Sequence, residues 1–533
     1  MRKRTLISSA VAVTAAGAIT IAGTVVAQAQ ETGSDALAAA IDAILHDKRL
    51  TDSQAGVVVA DANTGEVLYD RNGDKRGNPG SNEKLFTTAA ALEALGEDFT
   101  YVTEVSGDRP VDGVVAGDLY VRGSGDPTLL EADYDQLAAD LAARDISTID
   151  GDLVADDTAF DAVRSGVAWP WEDLQFTYGS EISALTVASG TDYNAGSVRF
   201  EVKPGAAAGD PAVITTIPKT DYVEIVNTAT TGTSTNISVN RARNENTVYI
   251  SGTVKAGTNG TFATRAVIDP TRLAADVFAD SLEEAGIDLT GELRFGETTP
   301  QGGETLATHT SAPLSELTAD ILKPSNASMT EALFKTLGYH ATGLGTAASG
   351  KAAVYAALTK YGVDNGPIRL ADGAGISRHD LVMASTLTDL LVGAKTAPWF
   401  STWYGALPVA CEDGTLASRM CGTPAASNVH AKTGSLTSVS ALSGYVTDAD
   451  GRELVFSVVI NDFLWSTVKD IEDKIAVAVA SHSAETTEAE ISTFSSEIDT
   501  PDFAELEAEA EEIPAEGEMP VSLECTWYEP AIC

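Results

Sequence analysis

The sequence predicts a mixed α/β (α+β) protein: a mostly antiparallel sheet flanked by helices, built from both ends of the chain around a long insertion. Three observations lead there. "GVVVADANTGEVLYD" (Gly56–Asp70) reads as a hairpin, with β-branched runs on either side of Asn63, Thr64 and Gly65. "VSALSGYVTDADGRELVFSVVIND" (Val439–Asp462) reads as a second, turning at Asp450-Gly451. Between them, from about Thr100 to Thr310, short strand patterns and Gly- and Thr-rich turns replace the apolar helices that bracket this region.

The elements follow in order. Arg2, Lys3 and Arg4 precede an apolar run from Leu6 to Val26 and a small-residue site at Ala27–Ala29, which marks residues 1–29 as a secretory signal peptide. The run is also long enough to span a bilayer, so an uncleaved anchor is the rival reading; once the signal is cleaved, no stable membrane span is expected. "DALAAAIDAILHD" (Asp35–Asp47) has helical spacing. "NPGSNEKLFTTAAALEAL" (Asn78–Leu95) passes from a turn into a helix whose Leu85, Phe86, Ala89, Leu92 and Leu95 form one apolar stripe.

Within the insertion, "LAADLAARDISTIDGDL" (Leu137–Leu153) is echoed by "LAADVFADSLEEAGIDLTGEL" (Leu273–Leu293), so two similar helix-then-strand units are expected. Helical pattern returns at Ser328–Gly343 and Gly350–Gly362, and Val468–His482 reads as a closing helix. The expected division is therefore 30–99 with 311–482 as one discontinuous domain and 100–310 as inserted accessory domain(s). No lysine or arginine follows Lys474, and residues 483–520 read as an acidic disordered linker leading to a terminal segment, 521–533.

The formal net charge of −43 argues against nucleic acid as a partner, because phosphate binding needs a cationic surface. The four cysteines form two close pairs, Cys411 with Cys421 and Cys525 with Cys533. An even count in an exported chain suggests disulfides; three connectivities are open and local pairing is the simplest. The six histidines are scattered and neither cysteine pair has C-x-x-C spacing, so neither a metal centre nor another cofactor is expected.

Three clusters carry chemistry. Ser81 and Lys84 are three apart where the turn enters the helix, so both side chains lie on one face. A desolvated lysine near another cation loses proton affinity and can activate a serine, and a helix N-terminus supplies N–H groups where an oxyanion develops. S-x-x-K also arises about once or twice by chance in a chain of this length. Lys432, Thr433 and Gly434 open a strand-like stretch, where the lysine and hydroxyl could hold a carboxylate; taken alone, the lysine reads as a surface strand residue. Ser325 follows a proline and precedes a helix, and its ordinary reading is a helix cap.

Together, S-x-x-K, a Ser-Asn before a helix and a late K-T-G follow the penicillin-binding and β-lactamase signature. With "YVRGSGDPTL" (Tyr120–Leu129), "LADGAGISRHDLV" (Leu370–Val382) and the ending "CTWYEPAIC", the chain resembles the D-alanyl-D-alanine carboxypeptidase/endopeptidase family, the class C low-molecular-mass penicillin-binding proteins exported by actinomycetes. The resemblance spans roughly residues 35 to 480 and the C-terminus. It implies the penicillin-binding/β-lactamase-like serine transpeptidase fold and a cofactor-free DD-peptidase, secreted or wall-associated, acting on peptidoglycan stem peptides and inhibited by β-lactams.

Carried onto this chain, the resemblance implies Ser81 as acylated nucleophile, Lys84 as general base and Ser325 as proton relay. Lys432 and Thr433 would hold the terminal carboxylate, and the N–H groups of Ser81 and Ser435 would form the oxyanion hole. Asp173, Tyr178, Arg378 and Leu436 match a pocket for the amino-acid end of diaminopimelate, an ordinary surface ion pair being the rival reading of the two charges. The family's S-x-N motif ends here in Ala327, which implies a slow enzyme, a compensated one, or mainly a binder; a β-lactamase or esterase on the same fold is a further alternative. Ala374 and Asp380 are smaller departures.

Overall fold

The computed structural model describes residues 33–500. Helix α1 (Gly33–Ile44) precedes strands β1 (Gln54–Asp61) and β2 (Val67–Arg71); α2 (Lys84–Leu95) and α3 (Ala327–Thr342) follow, then β3 (His430–Leu436), β4 (Val439–Thr447), β5 (Glu453–Asn461), α4 (Lys469–Ala480) and α5 (Glu488–Ser495). The five strands form one antiparallel sheet in the order β2-β1-β5-β4-β3, so strands from the two ends of the chain meet where Val57 pairs with Val458. The predicted first hairpin turns where Asp61 Oδ1 accepts the N–H groups of Asn63 and Thr64, and Gly65 adopts φ +74°.

Both faces of this sheet are covered, because successive residues of β1 point to opposite sides and both sets are apolar. Val58 and Ala60 face a core containing Leu85, Phe86 and Ala89 of α2 and Leu333, Phe334 and Leu337 of α3. Val57 and Val59 face the other core, built with Leu37 and Ile41 of α1 and Ile471, Ile475 and Val479 of α4. Arg49, wholly buried after α1, is paired with Asp47 (2.9 Å) and with Asp470 of α4 (2.7 Å) and ties the two ends of the chain on that side.

The insertion leaves and re-enters through adjacent antiparallel strands, Val102–Gly107 and Glu304–Thr310, with Val102 opposite Thr310. Its apolar residues form a core of their own, from Val105 to Ala307. The two echoed units lie side by side: the strand Leu153–Asp156 pairs in parallel with Leu293–Phe295, and Thr148–Ile149 with Asp288–Leu289. Helices Glu131–Ala142 and Pro270–Glu284 precede them, each in its own unit. A smaller apolar cluster joins insertion to sheet domain, placing Phe160, Trp169 and Ile182 against Ala327, Ala374 and Ile376.

The expected disulfide Cys411–Cys421 is present, with a Cα–Cα distance of 4.9 Å. The signal at 1–29 and the expected Cys525–Cys533 pair lie outside the described residues. Among those described, no helix is long and apolar enough to cross a membrane.

The acidic segment corrects the sequence reading. It is not disordered from residue 483: α5 is capped by Thr487 and Glu490, and it buries Ile491 in the core shared by α1 and α4. The apolar anchor outweighs the acidic composition of the turns around it. Ile491→Ala should therefore destabilise the protein by about 2–5 kcal/mol, the cost of emptying a buried isoleucine site, as read by urea unfolding; an undocked tail would give no change.

Candidate active site

Pro79, Gly80 and the short 3₁₀ turn Gly80–Glu83 deliver Ser81 to the start of α2. The turn sits against the backbone of β3. A Cβ on Gly434 would fall 2.3 Å from the Pro79 carbonyl oxygen, and one on Gly80 would fall 3.0 Å from the Ser435 nitrogen. Glycine at both positions is what lets the Ser81 turn and the K-T-G strand touch through their backbones. Asn82 locks the contact. In the orientation that satisfies both ends of its amide, it donates to the Lys432 and Thr433 carbonyls (2.7 and 3.2 Å) and accepts from Ser443 Oγ (2.8 Å).

Ser81 is 6 % exposed, and its Oγ lies 2.8 Å from Lys84 Nζ. Lys84 is wholly buried and also donates to the Ala374 carbonyl (2.7 Å). Burial brings its ammonium down to about 8, against the opposing pull of Asp372, Glu331 and Glu83. Lys432, equally buried, bonds Ser325 Oγ at 2.8 Å across 107 residues. Burial first, and then the charge of Lys84, hold Lys432 well below the ordinary lysine range.

Ser325 is not a helix cap. It sits at φ +66°, a left-handed conformation uncommon outside glycine, and the cap of α3 is Asn326, whose Oδ1 accepts the Met329 N–H (3.0 Å). The Asn326 amide also donates to the Asp192 and Tyr193 carbonyls of the insertion (3.0 Å each), so it is fully engaged away from Lys84. Ala327 is buried at the first position of α3.

Thr433 is buried, its hydroxyl 2.8 Å from Thr415 Oγ1 in the loop closed by the disulfide. Ser435 and Leu436 are half-buried at the end of β3. Tyr178 Oη donates to Asp173 Oδ1 (3.0 Å). Arg378 is only partly exposed and bonds the Thr437 carbonyl (2.8 Å), immediately beyond Leu436. Asp173 and Arg378 feel each other's charge but do not form a contact ion pair; burial raises the aspartate and lowers the arginine.

Sequence reasoning missed Glu331 and Asp372. Glu331 Oε1 accepts the N–H groups of Gly373 and Ala374 (2.6 Å each), one peptide before the Ala374 carbonyl that holds Lys84. Asp372 gathers the N–H groups of Gly375, Ile376 and Ser377 and Trp169 Nε1. No local pattern marks Glu331, but the "DGAGIS" loop around a single aspartate is an available signal for Asp372.

Two amine–hydroxyl pairs in one water-poor site suit proton transfer to and from a serine oxygen. Gly434→Ala should push β3 away from the Ser81 turn and destabilise the protein by about 1–3 kcal/mol, the cost of overpacking a close contact, as read by urea unfolding; an unchanged midpoint would mean that the two backbones do not touch.

The sequence profile described as the D-Ala-D-Ala carboxypeptidase 3 (S13) family matches residues 37–482. The chain is 43 % identical over 453 residues to a D-alanyl-D-alanine carboxypeptidase of Actinomadura sp. strain R39, covering 83 % of this chain and 84 % of that one. It is 28 % identical over 435 residues to the D-alanyl-D-alanine carboxypeptidase DacB of Haemophilus influenzae, covering 79 % and 88 %. The crystal structure of penicillin binding protein 4 (dacB) from Haemophilus influenzae superposes with a TM-score of 0.70 at 27 % identity, over 86 % of this chain and 99 % of that one. The same protein complexed with a β-lactam gives a TM-score of 0.65 over 85 % and 97 %.

Proposed function

The chain belongs to the D-Ala-D-Ala carboxypeptidase 3 (S13) family, and from that premise we propose that it is an exported serine DD-peptidase that cleaves peptidoglycan stem peptides through an acyl-enzyme on Ser81. The observation that carries the reading is the pair of 2.8 Å contacts, Ser81 Oγ to Lys84 Nζ and Ser325 Oγ to Lys432 Nζ.

In this reading neutral Lys84 accepts the Ser81 hydroxyl proton as Oγ attacks the carbonyl carbon of the penultimate D-alanine. The oxyanion is met by the N–H groups of Ser81 and Ser435. Lys432 and Thr433 bind the terminal carboxylate. The C–N bond breaks, and the leaving D-alanine nitrogen takes a proton through Ser325, which Lys432 reprotonates. The proton that Lys84 holds replaces the one Lys432 gave up, leaving Lys84 neutral; it then takes a proton from the water that attacks the ester and returns it to Ser81 Oγ as the acyl C–O bond breaks. A β-lactam acylates the same oxygen as its ring amide opens.

Asp173, Tyr178, Arg378 and Leu436 form the pocket for the free amino-acid end of a diaminopimelate side chain, the carboxylate meeting Arg378 and the ammonium Asp173. That the two side chains attract each other without forming a contact ion pair favours this over a surface ion pair.

Ala327 supports a second reading, a penicillin-binding protein with weak turnover. Alanine supplies no carboxamide beside Lys84, and the neighbouring Asn326 is committed to the insertion. Loss of one positioned polar group of this kind costs on the order of 10²–10³ in rate.

Mass spectrometry after benzylpenicillin treatment should show one adduct on the wild-type protein and none on Ser81→Ala; an adduct on the variant, or none on folded wild type, removes the acyl-enzyme. A stable adduct with little D-alanine release favours the weak-turnover reading, and rapid nitrocefin turnover the β-lactamase one. Arg378→Glu should lower kcat/KM for diaminopimelate-terminated peptides by about 10- to 100-fold, the worth of one charged hydrogen-bonded contact, while leaving peptides without that group unaffected.

A further inference from the structure

Behind the nucleophile lies a group of carboxyls that the mechanism does not use. Glu83, between Asn82 and Lys84, is wholly buried, and neither of its oxygens meets a donor among the described residues. Its neighbours are acidic: one carboxylate oxygen each from Glu83, Asp372 and Asp380 lie within 4.8 Å of one another. Glu331 on α3 adds its charge, Tyr355 of the helix Ala347–Leu358 feels both Glu83 and Asp380, and Lys84 is the nearby cation.

The donors are unevenly shared. Asp372 has three backbone N–H groups and the Trp169 indole, and Glu331 has two N–H groups. Asp380 has one, the Ala371 N–H at 2.5 Å on Oδ1, while its Oδ2 has none. Four carboxyls clustered beside one amine cannot all remain ionised away from water. The group with the fewest compensating donors yields first, and that is Glu83.

We propose that Glu83 is a carboxylic acid at neutral pH, donating its O–H to the unpaired Oδ2 of Asp380, and that by staying neutral it leaves Lys84 free to lose its own proton. Glu83 is thus a positioning residue that acts through Lys84, and its functional half rests on the reading of Lys84 as base. Burial, and then the charges of Asp380, Asp372 and Glu331, push Glu83 well above the ordinary glutamate range; burial and Asp372 do the same to Asp380. A divalent cation is the competing occupant of these oxygens. It requires about six to eight oxygen ligands, whereas Glu83 and Asp380 together offer three unpaired ones.

The stability sign follows from linkage. An acid whose folded pKa is raised binds its proton in the native state and loses it on unfolding, so stability falls as pH rises above the ordinary glutamate value. Three measurements on the full chain test the proposal. Wild type at pH 7 should show a protonated-carboxyl stretching band in the infrared that Glu83→Gln lacks. The wild-type Tm should decline between pH 5 and 9, and Glu83→Gln, which keeps a neutral donor to Asp380, should flatten that decline. The pH midpoint of Ser81 acylation in Glu83→Gln should stay within a few tenths of wild type, because one neutral group replaces another.

A midpoint lowered by about one pH unit or more would mean that Glu83 is ionised in the wild type, and would overturn the proposal. So would absence of the infrared band, or a wild-type Tm raised by Ca²⁺ and lowered by EDTA. Should Glu83→Gln fail to fold, the band and the cation response of wild type still decide. Should wild type fail to acylate at all, the reading of Lys84 falls while the protonation state of Glu83 stands or falls on the infrared and Tm data.

Discussion

The backbone contact between the Ser81 turn and strand β3 is the constraint on which the site depends. Neither partner tolerates a Cβ there: Gly434 lies against the Pro79 carbonyl and Gly80 against the Ser435 nitrogen. Because the turn begins α2 and β3 is the edge of the central sheet, this one approach brings a helix N-terminus, a serine and a strand lysine into a single volume. The N–H groups of Ser81 and Ser435 are brought together by the same approach. Asn82 then holds the register from inside the contact by bonding the carbonyls of Lys432 and Thr433.

Dryness is the second organising condition. Lys84 and Lys432 are both fully buried, and it is chiefly desolvation that lowers them. A lysine base at moderate pH needs that environment, and the same environment makes the surrounding carboxyls costly. Asp372 and Glu331 are compensated by backbone N–H groups and so organise the loop that carries Ala374, the carbonyl partner of Lys84. Glu83 meets no donor among the described residues and lies beside the amine of Lys84.

The insertion is more than an appendage. It has its own core, but Trp169 bonds Asp372 and the Asp192 and Tyr193 carbonyls hold Asn326, so two loops of the site take part of their shape from it. It also contributes Asp173 and Tyr178 near Arg378 and the end of β3. Asn326, the amide of the second motif, is thereby used to join the two parts.

Much of this was legible in local pattern. The hairpins follow from period-two alternation around turn residues, the helices from apolar stripes, and the Ser81–Lys84 contact from i,i+3 geometry at one helix end. The helix at Glu488–Ser495 was legible too, through the Thr487–Glu490 capping box, but acidic composition obscured it. What the sequence could not determine is whatever depends on burial or on distant segments meeting. The Ser325–Lys432 bond spans 107 residues, and the carboxyls around Lys84 come from three separate stretches of chain. The sequence alone determined which short-range elements form and which residues pair within them, because those follow from backbone geometry over a few residues. Only the tertiary structure decided which charges face each other without water, and therefore which groups hold their protons.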